Sequence, residues 1–172
     1  MPNWCEGNIK IRGKKKDVIE FLENEILKMY MTNLFEEPKA ENIKMEHNGF
    51  SYVYELEGDK NYLYLKDSAR CFIEQNIIEI YIYSDSNKAP TYLTLNIKQA
   101  WGIDEKLFEK LSKKYNLDFN IYASEKGMEF EQYITIIDGK ITRNETKKIW
   151  RFLLWSNQSR VRRLSNGQTR KT

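Results

Sequence analysis

Residues 92–143 read YLTLNIKQAWGIDEKLFEKLSKKYNLDFNIYASEKGMEFEQYITIIDGKITR. This stretch holds a strand, a helix and three further strands in order. Tyr92 to Gln99 alternates apolar and polar residues, the period of a half-buried strand. Asp104 then suits a helix N-cap, because its carboxylate accepts from the free amides of the first turn. Leu107, Phe108, Leu111 and Tyr115 form one stripe at helical spacing, and Asn116 can end the helix in a left-handed conformation. Leu117 to Ala123 reads as a strand. Phe130 to Ile137 and Lys140 to Arg143 read as two more. Asp138-Gly139 between them supports the positive φ angles of a tight hairpin turn.

Upstream, Ile9 and Ile11 alternate with Asn8, Lys10 and Arg12, so Trp4 to Arg12 is a strand that Gly13 breaks. Val18, Phe21, Leu22, Ile26 and Met29 share a face at 3.6 spacing, which predicts a helix from Lys14 to about Met31, with Glu25 interrupting the face. Residues 32–48, with Pro38 and the sole histidine, His47, read as a loop or a short irregular helix. Strands follow at Tyr52 to Leu56, Tyr62 to Lys66, and Arg70 to Ile73 and Ile77 to Tyr83, the last two separate or one long strand with a kink at Glu74 to Asn76. Ser84 to Pro90 is a loop by composition. The expected class is α+β, with two main helices on one face of an antiparallel sheet.

The chain has 172 residues, 41% of them hydrophobic and 31% charged, which suits one globular domain rather than a disordered chain. Its longest apolar runs are too short to span a bilayer, and its start lacks the basic and apolar regions of a secretory signal, so a cytoplasmic location is expected. Cys5 and Cys71 both fall in strand-like runs, where a buried free thiol is the expected state. Of 28 basic residues, eight lie between Lys147 and Thr172, where no acid occurs. The first 146 residues therefore hold 20 basic and 25 acidic residues, a net charge of −5. This predicts a mildly acidic body, residues 1–146, and a basic appendage, residues 147–172.

Two segments resemble a known family. Met1-Pro2-Asn3-Trp4-Cys5, followed by Asn8, Ile9, Ile11 and Gly13, is similar to the opening of phage and plasmid proteins that share the ferredoxin-like domain named after the plasmid protein YubB. Gln99-Ala100-Trp101, the helix at Lys106 to Tyr115, and Tyr122 to Phe130 resemble the same family's strand, Ala-Trp, helix, strand and Gly-containing turn. The chain departs from that pattern at Gly102-Ile103, where a proline is common, and at Glu131-Gln132, where a glycine is common. The resemblance implies a ferredoxin-like fold and a mobile-element origin. It transfers no catalytic residue, and two cysteines cannot ligate an iron–sulfur cluster.

The residues offer little for catalysis. A zinc site needs three or four Cys or His ligands, and the chain has three such residues in total. Neither a P-loop nor a Gly-x-Ser-x-Gly elbow is present. Glu20, Glu23, Glu25, Glu36, Glu37, Glu41 and Glu46 crowd one stretch and leave a carboxylate-bound magnesium open, although a solvated face explains them with the lysines mixed in. No cofactor is expected. Trp4, Trp101 and Tyr122 read as core residues that close strand ends.

Two binding elements stand out. Glu20, Glu23, Glu36 and Glu37 belong to the acidic body, which could mimic nucleic acid and compete for a basic channel. Trp150, Arg151, Trp155, Arg160, Arg162 and Arg163 interleave aromatics with cations in the appendage. That composition suits docking on the acidic body, nucleic acid, or an anionic surface. The expected function is that of a non-catalytic binding protein of a phage or other mobile element. It would occlude a host protein or nucleoprotein, a defence system such as a CRISPR effector among them. The alternative is a small nucleic-acid-binding protein that uses the basic aromatic tail.

Overall fold

The computed structural model describes residues 2–30, 39–58, 60–82 and 89–149. Along them run β1 (Trp4–Gly13), α1 (Lys15–Glu25), β2 (Ile26–Tyr30), β3 (Lys39–Asn42), β4 (Glu46–His47), β5 (Ser51–Glu55) and β6 (Tyr62–Leu65). Then come β7 (Cys71–Ile73), β8 (Ile77–Tyr81), β9 (Thr91–Ala100), α2 (Glu105–Tyr115), β10 (Asp118–Glu125), β11 (Phe130–Ile137) and β12 (Lys140–Lys148). Nine strands form one sheet in the order β12-β11-β10-β1-β9-β7-β6-β2-β3, and β4-β5-β8 form a second. Every paired neighbour is antiparallel.

The local chemistry of α2 and the last hairpin follows the sequence. The Asp104 carboxylate accepts from the backbone N–H of Lys106 and of Leu107, both at 3.1 Å. Asn116 ends the helix with φ 51°. Asp138 and Gly139 take φ 50° and 71°, as a two-residue hairpin turn requires. The turn is also tied to its surroundings. The Gly139 N–H donates to Ser112 Oγ at 3.0 Å, and the Asp138 N–H donates to Asp118 Oδ1 at 3.0 Å.

The first helix is shorter than its apolar periodicity predicts. Extended backbone begins at Ile26, and Ile26–Tyr30 is strand rather than helix. Glu25, the residue that interrupted the helical stripe, marks the boundary. Its carboxylate is 5% exposed and accepts from Tyr115 Oη at 2.6 Å and Lys114 Nζ at 2.7 Å. Its carbonyl accepts from the Lys66 N–H, so the sheet takes over at that residue. Within 32–48, β3 and β4 are strands rather than loop or helix, while residues 31–38 lie outside the described residues.

The expected ferredoxin-like class is overturned by the sheet. β9, α2 and β10 do form a split β-α-β unit, because β1 lies between β9 and β10 and runs antiparallel to both. A ferredoxin-like sheet would interlock a second such unit through the first helix. Here α1 leads instead into β2, which sits beyond β9, β7 and β6. The result is a mainly antiparallel β protein of nine plus three strands, with two helices among the described residues.

Both helices meet over β10. The rings of Phe21 and Phe108 stand edge-on to Phe119 at 5.8 and 5.6 Å. Val18, Leu22, Leu95, Ile97, Ile121 and Ile134 complete that layer. The small sheet joins the same core through Ile78 and Ile80. It is held beside α1 by the Glu23 carboxylate, which accepts from the Met45 N–H at 2.9 Å, and by Lys15, whose ammonium lies 5.9 Å from the Tyr52 ring centre.

Cys5 and Cys71 are both fully buried, as expected, and burial pushes each thiol up to about 12. A thiolate is the reactive form, so native protein at pH 8 is expected to react with a disulfide reagent only as fast as it opens. Two thiols should react at once in denaturant. Rapid native labelling of either would contradict this packing.

Candidate interaction surface

The helices and the small sheet cover one face of the nine-stranded sheet, and the strand pattern shows what lies on the other. In β1, Cys5, Ile9 and Ile11 are buried, while Lys10 and Arg12 are exposed. In β9, Leu93, Leu95 and Ile97 are buried, while Tyr92, Thr94 and Asn96 are exposed. In β10, Phe119, Ile121 and Ala123 are buried, while Asn120 is exposed. The exposure of these central residues means that no element among the described residues covers this second face.

The open face carries two aromatic groups. On β11 and β10, Tyr133 and Tyr122 are cross-strand neighbours with ring centres 5.1 Å apart. Both hydroxyls donate to Glu131, at 2.9 and 3.1 Å, which fixes the tilt of the rings. Arg143 and Lys147 of β12 lie over the Tyr133 ring at 4.7 and 5.2 Å. The second group centres on Phe72 of β7, ringed by Trp4, Tyr62 and Tyr64 at 5.6, 5.4 and 5.5 Å in edge-on geometry. Lys98 of β9 belongs to the second group, directly opposite Phe72 and 5.4 Å from the Trp4 ring centre.

Four cations of this face are paired with acids, while Lys10 stands exposed on β1. Arg12 reaches Asp118 at 2.7 Å. Lys98 reaches Glu6 at 2.9 Å and Glu74 at 3.5 Å, and the bond to Glu6 raises its pKa. Arg143 and Lys147 both reach Glu145, at 2.9 and 3.1 Å, and hold its carboxyl down to about 2. Glu145 is therefore charged at any physiological pH. The face is a mixed one of half-buried rings and neutralised ion pairs.

Comparison with protein-family models, curated proteins and solved structures gives no match for this chain.

Trp150, Arg151, Trp155, Arg160, Arg162 and Arg163 lie outside the described residues, as do Glu36 and Glu37. Lys147 and Lys148, counted with the basic appendage, belong to β12. Glu20 is exposed on α1, but Glu23 is engaged in holding Met45. Trp4, Trp101 and Tyr122 are not core residues. Trp4 and Tyr122 stand on the open face. Trp101 is 66% exposed at φ 70°, in the connection between β9 and α2, with its N–H donating to the Asn3 carbonyl at 2.8 Å.

Among the described residues, no group of three or more His, Cys, Asp or Glu stands close enough to hold a metal ion. His47 is exposed on β4, its ring 4.8 Å from that of Tyr52. A cleft of about 560 Å³ opens on the helix side between β2–β3 and β5, lined by Lys28, Glu41, Lys44, Tyr54 and Glu57 among others. Glu41 there is already engaged by the Tyr30 hydroxyl and by Lys28. No described helix is long and apolar enough to cross a membrane.

Sequence reasoning missed Phe72, Lys98, Glu131 and Tyr133. A signal was present: the strands around them alternate buried apolar residues with aromatic and charged ones, rather than with small polar residues. Which strands share a face depends on sheet order, and no local pattern encodes that.

Proposed function

We propose that this chain is a binding protein that docks a protein partner on the open face of its nine-stranded sheet. The supporting observation is an uncovered sheet face that combines Trp4, Phe72, Tyr122 and Tyr133 with Arg12, Lys98, Arg143 and Lys147. Trp, Tyr, Phe and Arg are the residue types enriched where protein surfaces meet. Nucleic-acid binding draws its affinity from cations free to replace counterions along the phosphates. Arg12, Lys98, Arg143 and Lys147 spend their charge on Asp118, Glu6, Glu74 and Glu145, which leaves Lys10 of β1 and favours a partner of mixed charge over a phosphate backbone. In a phage or plasmid, such a protein would act by covering a working surface of a host protein, a defence effector among them.

The test blocks the centre of the face. Asn8 and Asn96 are directly paired across β1 and β9, and Asn8 also faces Tyr122 of β10, so arginines there crowd the centre of the face. Asn8→Arg with Asn96→Arg is expected to abolish capture of the partner from nuclease-treated cell extract. Lys106→Glu with Lys110→Glu, on the exposed side of α2, should leave capture intact. Capture that survives the sheet substitutions would overturn the assignment of the face. Capture that disappears on nuclease treatment would replace a protein partner with nucleic acid.

A further inference from the structure

β12 forms one outer edge of the nine-stranded sheet and is nine residues long, while the opposite edge, β3, has four. An outer strand presents a row of backbone N–H and C=O groups that can template a further strand. Proteins usually block such edges with charge, and β12 is charged. Here the sign alternates: Arg143, Glu145 and Lys147 lie on the open face, opposite Thr135, Tyr133 and Glu131 of β11. The register with β11 shifts at Thr135/Ile136 and leaves Thr142 without a partner there. From Arg143 to Lys148 it is regular, and the Ile149 N–H extends it by donating to the Glu129 carbonyl at 2.6 Å. The regular stretch, 143–149, is therefore the part able to accept another strand.

Two antiparallel copies of this stretch can meet about a two-fold axis with both open faces on the same side. Residues directly opposite then lie on the same face, which restricts the registers. An axis through Glu145 sets Glu145 against itself and Arg143 against Lys147. An axis through Lys147 sets Lys147 against itself. An axis through Asn144 pairs Arg143 with Glu145, but draws the bulged Thr142 into the ladder and sets Lys140 against Lys148. With the axis through Thr146, Glu145 faces Lys147 on both sides of the axis. Thr146 then faces itself, Asn144 faces Lys148 and Arg143 faces Ile149. No like charges are opposed, a β-branched pair sits at the centre, and the bulge stays outside.

We infer that β12 pairs with β12 of a second copy in this register, joining two nine-stranded sheets edge to edge. The contact is small, so the dimer is weak, reversible and favoured by high concentration and low salt. It would extend the open face across the seam, where the Tyr133 groups of both copies approach the axis.

The full chain is examined by analytical ultracentrifugation over a concentration series. Wild-type protein should shift from monomer to dimer. Glu145→Lys alone gives Lys opposite Lys, and Lys147→Glu alone gives Glu opposite Glu, so each should weaken self-association about tenfold or more. An equimolar mixture of the two variants restores unlike charges at both positions and should form a heterodimer. The double variant Glu145→Lys with Lys147→Glu restores them within one chain and should dimerise like wild type. All four side chains involved are exposed on an outer strand, and circular dichroism checks that each variant keeps its fold. A wild type that stays monomeric throughout would overturn the inference. So would single variants that dimerise undiminished, or a mixture that associates no better than its components.

Discussion

Gly7→Ala is expected to destabilise the fold by on the order of 3–5 kcal/mol, seen as a lower midpoint in urea or thermal unfolding. Gly7 lies in β1, with β10 on one side and β9 on the other, paired with Ala123 and Ile97. A Cβ built on it would lie 1.9 Å from the Tyr122 carbonyl oxygen and 2.5 Å from the Ala123 Cα. Those atoms are backbone, so no rotamer change can clear them. The two strands would have to separate at the middle of their ladder, and β10 carries the Phe119 layer on its buried side. A glycine inside a strand commonly marks such a close approach. Gly13→Ala is the matched control. Its Cβ would meet the Leu117 side chain at 2.3 Å, which can turn away, so a markedly smaller loss is expected. Equal losses at the two positions would show that the β1–β10 approach is not what Gly7 serves.

What the sequence conveyed was local, and what it withheld was order. The cap at Asp104, the left-handed Asn116 and the Asp138-Gly139 turn each need only a few adjacent residues, and each is present in the fold. Strands β1, β6, β9 and β11 were legible because one of their faces is buried against the core, which imposes a period of two. Ile26–Tyr30 was misread because Ile26 and Met29 satisfy a helical stripe, while their strand partners, Leu65 and Tyr62, lie more than thirty residues downstream. The ferredoxin-like expectation failed for the same reason. β-α followed later by β-α-β is a correct order along the chain, but it leaves open where β2 inserts. Its place beyond β6 turns a small sheet into one of nine strands.

The candidate surface depends wholly on that order. Tyr133 and Tyr122 are eleven residues apart and face each other only through the β10–β11 register. Trp4 and Phe72 come together because β9 lies between β1 and β7. Charge counting along the chain pointed to the acidic glutamates and the basic end. In the fold, Glu23 holds a backbone amide and Glu25 is buried between the helices. A run of like charges in sequence does not make a patch once strands from distant segments set their ions beside it.

Phe119→Ala should cost about 3–5 kcal/mol, the range for truncating a fully enclosed aromatic ring. Phe119 is 1% exposed and is the ring on which α1 and α2 converge, through Phe21 and Phe108. Its removal leaves a cavity that neither helix can close alone, because each is pinned elsewhere: α1 by Glu25 to Tyr115 and Lys114, α2 by its Asp104 cap and the Ser112–Gly139 bond. Hydrogen exchange is the discriminating readout. Amides of both helices should lose protection together, since they share one packing partner and one another. Loss confined to α1 would show that α2 rests on β11 and β12 instead. Phe119→Leu keeps most of the volume and should cost well under half as much. Because Phe119 points away from the open face, the Leu variant should also hold its partner as wild type does at temperatures where it stays folded. A Leu variant that is folded yet fails to bind would place the interaction surface on the helix side of the sheet.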